Sequence, residues 1–296
     1  MRRVEVLTPG SCGEFIQGIY EDQPCLVSCP VDLYSTVRIS EGPAVHMLDY
    51  KAVKMLDLIF NEYRLPREEK HHINIGLTSE IPIEKGMASS TADIAGMAKA
   101  LSAYYDLGMD DQTIADFCIR IEPTDNIMFR DLNLFNHVQG EILMGFNTCV
   151  KASILIVEFK GRVNTMNFHR QQDGYDEREK AAFEGIVDLF KSGLETNDLD
   201  RIGESCTRSA QLNQKILYKP HLETLIGLSK DHGGHGVITG HSGTVIGIMY
   251  SEDRFDYTAF MQSFLKYIPK GDYDALFLKN IISGGIRVNV SDKTDE

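Results

Sequence analysis

Tryptophan is absent from this chain of 296 residues, and no apolar run reaches the roughly 18 residues that a membrane-spanning helix requires. Positive charge is also in short supply. Lys and Arg number 30 against 43 Asp and Glu, for a formal net charge of −13. A protein devoted to the nucleic-acid backbone or to an anionic membrane surface carries the opposite balance, so neither partner is expected. A local site for one phosphate compound remains compatible with that charge, and nucleotides stay open. The six cysteines (Cys12, Cys25, Cys29, Cys118, Cys149 and Cys206) include no CxxC pair. In a chain this long they read as reduced, buried thiols rather than a disulfide frame, which points to a cytoplasmic location. The start, MRRVEVLTPG, has two arginines with no apolar segment behind them, unlike a secretory signal. What is present, 43% hydrophobic and 25% charged residues, is the composition of a globular protein with a sizeable core.

Strand-like and helix-like patterns are mixed along the chain, so an α+β fold is expected. RRVEVL alternates and predicts a strand ended by Thr8-Pro9-Gly10, while CLVSC and LYSTVRI predict two strands separated by Pro30. Between residues 45 and 65, Val45, Leu48, Ala52, Met55, Leu56, Ile59 and Phe60 fall at helical spacing. HHINIGLTSEI alternates again and leads into EIPIEKGMASSTADIAGMAKAL, from which a helix runs from about Ser90 to Tyr105. Another helix is expected over Asp111 to Ile121, behind an Asp-rich start of the kind that caps helices. Further on, SILIVEF, GVIT, TVIGIMY and GIRVNV read as strands, and residues 176–191, 198–212, 220–230 and 253–267 as helices. No repeat or low-complexity linker interrupts the chain, and a soft boundary near residue 152 divides it into units 1–152 and 153–296.

Ser89, Ser90 and Thr91 are poor helix interior, so their place directly ahead of a helical pattern asks for another reason. A strand, a glycine loop and a helix N-terminus form an anion-binding arrangement, because the first helical N–H groups lack partners and the peptide dipoles favour negative charge there. Gly86 lets the backbone approach a ligand closely, and Ala88 keeps the mouth small. The three hydroxyls can donate to phosphate oxygens, one of them can ligate a magnesium ion, and Lys85 adds a point charge. A serine-rich cap on an amphipathic helix is the plainer alternative. The Walker pattern does not occur, since Lys85 precedes Gly86, and GHGVITG has the wrong spacing for a dinucleotide fingerprint.

Pro82-Ile83-Glu84-Lys85-Gly86-Met87-Ala88-Ser89-Ser90-Thr91-Ala92 resembles motif 2 of the GHMP kinases, Pro-x-x-x-Gly-Leu-x-Ser-Ser-x-Ala, with Met87 at the leucine position. PGSCGEFIQG (Pro9 to Gly18) resembles the family's motif 1. GVITGHSGTVIGI (Gly236 to Ile248) resembles its Gly-rich motif 3, with Gly240-His241-Ser242-Gly243 in place of Gly-Ala-Gly-Gly. The three follow the family's order and span most of the chain. The resemblance implies the GHMP kinase fold, with an N-terminal ribosomal-protein-S5-like domain that binds ATP and a C-terminal ferredoxin-like α/β-plait domain. It also implies Mg²⁺ as cofactor and a monomer or homodimer. GSCGEFIQG, LVSCPVDLYSTV, EKGMASSTADIAG and HSGTV are closest to the propanediol-utilisation threonine kinase branch. That branch implies ATP-dependent phosphorylation of the L-threonine hydroxyl, giving O-phospho-L-threonine for the aminopropanol linker of adenosylcobalamin.

Residue by residue, the resemblance implies phosphate binding by Pro82, Lys85, Gly86, Met87, Ala88, Ser89, Ser90 and Thr91, supported by Gly240, Ser242 and Gly243 of motif 3. Asp125, in IEPTDNIMF, matches the aspartate that takes the acceptor's proton, with Lys85 as a second catalytic group; a turn residue after Pro-Thr is the alternative. Glu122 matches the magnesium ligand that would share the ion with Ser90, or is a solvated carboxylate at a helix end. Glu14 of motif 1 can meet the acceptor's ammonium. Asp32 is a second candidate for that role, or else a strand-start residue facing water. Arg130 can clamp the acceptor's carboxylate or lie on the surface. His232, His235 and His241 offer a zinc alternative in a glycine-rich stretch. Two other functions stay open: another reaction on the same fold, such as homoserine phosphorylation or ATP-dependent decarboxylation, and a non-catalytic nucleotide-binding regulator. The combination of Lys85, Ser90 and Asp125 argues against the regulator, which has no use for the carboxylate.

Overall fold

Two long strands form the spine of the fold, β1 (Arg2–Tyr20) and β2 (Gln23–Glu41). Glu21 and Asp22 join them with left-handed φ values of 48° and 58°, the two-residue hairpin turn whose twist suits the flanking strands. The breaks expected at Thr8-Pro9-Gly10 and at Pro30 do not occur. Register shifts between Pro9 and Gly10, between Ser11 and Glu14, and between Glu14 and Ile16 absorb the irregular residues while the ladder continues. Pro30 pairs opposite Ser11 within one continuous strand. The structure, a computed structural model, describes residues 2–44, 48–161 and 174–292; Val45, counted in the first helical pattern, lies outside them.

The remaining strands are β3 (Ile73–Ser79), β4 (Asn133–Asn136), β5 (Glu141–Gly145), β6 (Ser153–Phe159), β7 (Gly236–Thr239), β8 (Val245–Tyr250), β9 (Tyr273–Asn280) and β10 (Arg287–Asp292). They complete a sheet in the order β5-β4-β2-β1-β7-β8-β6-β9, with β3 beside β2 and β10 beside β1. The sheet therefore runs across residue 152, and the chain's last strand returns to pair with its first. The sequence pattern did not reveal β4, β5 or β9: two are very short, and β9 has a short apolar run flanked by Asp274 and Lys279 rather than an alternation.

Among the described residues, seven α-helices cover the sheet: α1 (Tyr50–Glu62), α2 (Ser89–Tyr104), α3 (Asp111–Ile119), α4 (Glu177–Thr196), α5 (Leu199–Leu212), α6 (Leu222–Asp231) and α7 (Tyr257–Tyr267). Asp49, Asp110, Asp176, Asp198 and Asp256 cap α1, α3, α4, α5 and α7 through side-chain bonds to the first free N–H groups. α2 starts differently. Its N-cap is Ala88, left-handed at φ 58°, which offers no side chain to those groups. Ala52, Met55, Leu56, Ile59 and Phe60 of α1 pack with α2, α3 and the edge of β1–β2–β3 in one buried cluster. Phe183, Ile186 and Phe190 of α4 join Phe15 and Ile16 of β1 in a second, and α6 and α7 cover β6–β7–β8 in a third. Among the described residues, no helix is long and apolar enough to cross a membrane.

Candidate active site

Three residues in the loop before α2 take positive φ: Glu84 (61°), Gly86 (81°) and Ala88 (58°). The irregular path holds because motif 3 grips it. The N–H groups of Thr244 and Val245 both donate to the Lys85 carbonyl, at 2.9 and 3.2 Å. A Cβ on Gly243 would lie 2.0 Å from the Lys85 carbonyl atoms, and one on Gly86 would lie 2.8 Å from the Gly243 Cα, so the two backbones meet only as glycines. Behind them, buried Lys219 donates to the Gly243 carbonyl at 2.8 Å, and burial pushes its pKa down to about 7. From the other side, Ser11 of β1 donates to the Met87 carbonyl at 3.0 Å, while the Met87 side chain sinks into the core. The outcome is an uncapped helix N-terminus facing a cleft, with Ser89 and Ser90 at its mouth. That arrangement can hold an anion.

Beside it stands a second polar group. The Ser90 hydroxyl donates to the Glu122 carboxylate, and Lys51, from the first turn of α1, reaches both: Nζ lies 2.8 Å from Ser90 Oγ and 2.6 Å from Glu122 Oε2. A hydroxyl and a carboxylate converging at a phosphate-type loop form an oxygen donor set that suits a hard divalent cation.

Deeper in the cleft, the carboxyl groups of Glu14 and Asp125 lie side by side and act on each other's protonation. The register shifts on both sides of Glu14 turn its side chain inward, where it is 3% exposed. Its strand partner Ser28 donates its N–H to Asn126 Oδ1 at 3.0 Å, and Asn126 Nδ2 is fixed by Asn133, so hairpin and Asp125 loop are locked together. Thr91 adds a hydroxyl 3.3 Å from Asp125 Oδ2. Burial pushes the Asp125 carboxyl up to about 6, and the charge of Glu122 adds to the shift. Burial, with Asp125 nearby, holds Glu14 well above the ordinary carboxylate range. Above about pH 6 the Asp125 carboxyl is ionised and can accept a proton from a bound hydroxyl.

The family described as GHMP kinases N terminal domain matches residues 50–129. An L-threonine kinase from Citrobacter freundii is 35% identical over 250 residues, 84% of this chain and 86% of the relative. The chain belongs to the GHMP kinase family. A second L-threonine kinase, from Salmonella typhimurium, is 31% identical over 283 residues, covering 95% of this chain and 94% of its own. Among solved structures, a homoserine kinase from Cytophaga hutchinsonii superposes with a TM-score of 0.70 at 14% identity, over 97% of both chains. Mevalonate diphosphate decarboxylase from Staphylococcus aureus gives 0.73 at 12%, over 98% of both. These two establish the α+β fold alone.

The structure brings most of the expected site residues of this GHMP kinase together and sends others elsewhere. Glu14, Gly86, Met87, Ala88, Ser89, Ser90, Thr91, Glu122, Asp125 and Ser242 line the cleft; Pro82 only opens the loop, and Gly240 and Gly243 pack on its backbone. Lys85 is a correction. Its ammonium turns away from the cleft to Glu158 (3.0 Å), Asp274 (2.9 Å) and the Phe159 carbonyl (2.9 Å), because those acceptors lie on β6 and β9 directly behind the loop. It is an anchor between the two halves rather than a phosphate ligand. Thr91 is 3% exposed, and its hydroxyl serves Asp125 and Thr124. Asp32 is corrected as well: its carboxylate accepts both the N–H and the side-chain amide of Asn280 at 2.8 Å, which ties β2 to β9 outside the cleft. Arg130 lies in a separate surface recess with Lys99 and Arg287. His232, His235 and His241 diverge to Ser263, to Asp200 and Ser251, and to Gln17 respectively. Sequence reasoning missed Lys51 and His137. Lys51 lies far along the chain from the residues it joins, and no local motif marks either.

Two predictions follow from these placements. Lys85→Met leaves two carboxylates without their cation and is expected to cost roughly 3 kcal/mol in urea denaturation. Unchanged stability with weakened ATP binding would return Lys85 to the phosphates. Glu14 and Asp125 hold their protons to higher pH folded than unfolded, so the stability they contribute at pH 4 declines as pH rises, that of Asp125 being lost through about pH 6. Glu14→Gln is therefore expected to melt above the wild type at pH 7.5, with the advantage fading toward pH 4. A shift of equal size at both pH values would contradict the pairing.

Proposed function

We propose that this GHMP kinase transfers the γ-phosphoryl group of ATP to the hydroxyl of L-threonine, releasing ADP and O-phospho-L-threonine. The observation that carries the reading is the similarity, over most of the chain, to two L-threonine kinases. The cleft supports it. The N–H groups that open α2, with Ser89, receive phosphate oxygens. Ser90 and Glu122 would hold Mg²⁺, which neutralises phosphate charge when bound. Lys51, within reach of both residues, follows the phosphates as they arrive. Asp125 takes the proton of the acceptor hydroxyl as that oxygen bonds to the γ-phosphorus and the bond to the departing ADP oxygen breaks. Glu14 gives up its proton to the surroundings when the acceptor's ammonium settles beside it, since an adjacent cation favours the charged carboxylate. Thr91 and Asn126 hold the Asp125 loop in place for this work. On this reading the product feeds the aminopropanol linker of adenosylcobalamin, as the resemblance to the propanediol-utilisation branch implies, and the free cysteines support a cytoplasmic location.

ADP release from Mg-ATP with L-threonine, L-serine, L-homoserine, 1-amino-2-propanol and mevalonate tests the acceptor. L-Threonine is expected to exceed the others clearly. Asp125→Asn is expected to lower kcat about 10²- to 10⁴-fold with ATP binding kept, and kcat/KM for the wild type to fall below about pH 6 as Asp125 becomes protonated. Turnover with homoserine or mevalonate alone would replace the acceptor. Bound ATP without any turnover would favour the non-catalytic regulator.

A further inference from the structure

An α-amino acid brings a carboxylate as well as an ammonium, and the cleft is acidic. Six of its described lining residues are carboxylates: Glu14, Asp49, Glu84, Asp93, Glu122 and Asp125. Only Lys51, His137 and His241 among them can bear positive charge. Lys51 is committed to Ser90 and Glu122, on the phosphate side. The two imidazoles stand together, with ring centroids 4.9 Å apart and planes at 66°. We infer that His137 and His241 form the subsite for the acceptor's carboxylate and thereby select an amino acid over the matching amino alcohol. This rests on the reading that the acceptor is a hydroxyamino acid.

The backbone bonds that fix the carboxyl pair also place both rings. The His137 carbonyl accepts the N–H of Thr124, the neighbour of Asp125, at 2.9 Å. Glu14 pairs across the sheet with Thr239, two residues before His241. Gln17, three residues beyond Glu14 on the same strand, donates its amide Nε2 to the Thr239 carbonyl at 3.2 Å, so Oε1 faces His241 Nδ1 at 2.7 Å. An amide oxygen there requires the proton on Nδ1, and a second proton on Nε2 makes an imidazolium that donates at both nitrogens. A carboxylate arriving between the rings favours that charged form. The subsite and the Glu14–Asp125 pair would then read the two ends of one amino acid, with its hydroxyl directed toward Asp125.

Steady-state kinetics at saturating Mg-ATP test this with L-threonine and L-threoninol, in which the carboxylate is replaced by an alcohol. The wild type is expected to prefer L-threonine by about 10-fold or more in kcat/KM. His241→Asn and His137→Gln are each expected to raise the KM for L-threonine about 10- to 100-fold, the worth of a charge-assisted hydrogen bond. The KM values for L-threoninol and ATP should stay within about twofold, so the preference collapses. His137 is 2% exposed, and its variant is checked by thermal melting and ATP binding; if it does not fold, the less buried His241 carries the test alone. An unchanged preference overturns the inference, as does a raised KM for ATP with the acceptor ratio intact, which would assign the rings to the nucleotide. If L-homoserine proves to be the acceptor, the threonine reading fails while the same comparison, homoserine against its alcohol, still decides the subsite. A wild type that phosphorylates no carboxylate-bearing acceptor overturns both.

Discussion

Glu14 and Asp125 are held in contact where burial makes the ionisation of either costly. Two carboxyl groups would separate if their backbones were free to move, so the pair persists only because the surrounding chain fixes it. On one side the fixing element is a strand with a register shift before and after Glu14. On the other it is a loop bound to that hairpin through Asn126 and Ser28. The pair is a place where the protein gives up stability, and the rigidity around it is the corresponding structural requirement. A proton acceptor tuned to near-neutral pH is the return.

The same logic governs the phosphate loop. An uncapped helix, a left-handed alanine and two touching glycines are each unfavourable alone, and each is supported by a contact from a distant part of the chain. Motif 3 grips the Lys85 carbonyl, Lys219 holds motif 3, and Lys85 ties the loop to β6 and β9. The N-terminal half thus provides most of the cleft, and the C-terminal half completes its lining with His241 and Ser242 and keeps it in shape. A sheet that crosses residue 152 without interruption is the structural expression of that dependence.

The parts legible in the sequence were those whose chemistry is local. Ser89, Ser90 and Thr91 after a glycine loop announce a helix start with unusual duties, and α1, α3 and α5 show themselves through their sequence patterns, α3 also through its Asp-rich start. What stayed hidden depends on partners far along the chain. Pro9, Gly10 and Pro30 read as breaks because turn chemistry is judged locally, whereas pairing between β1 and β2 carries the ladder past them through bulges. Lys85 adjoins the loop glycine, but its direction is set by Asp274, 189 residues away. Lys51 meets Ser90 and Glu122 across 39 and 71 residues, and nothing near Lys51 in the sequence signals that meeting.

The measurement closest to the central claim is a ¹³C NMR titration of the side-chain carboxyls of Glu14 and Asp125, assigned with Glu14→Gln and Asp125→Asn. Asp125 should titrate near pH 6 and Glu14 above the ordinary carboxylate range. Two carboxyls that both titrate near pH 4 would mean that each is solvated and independent, and the account of the cleft would fail.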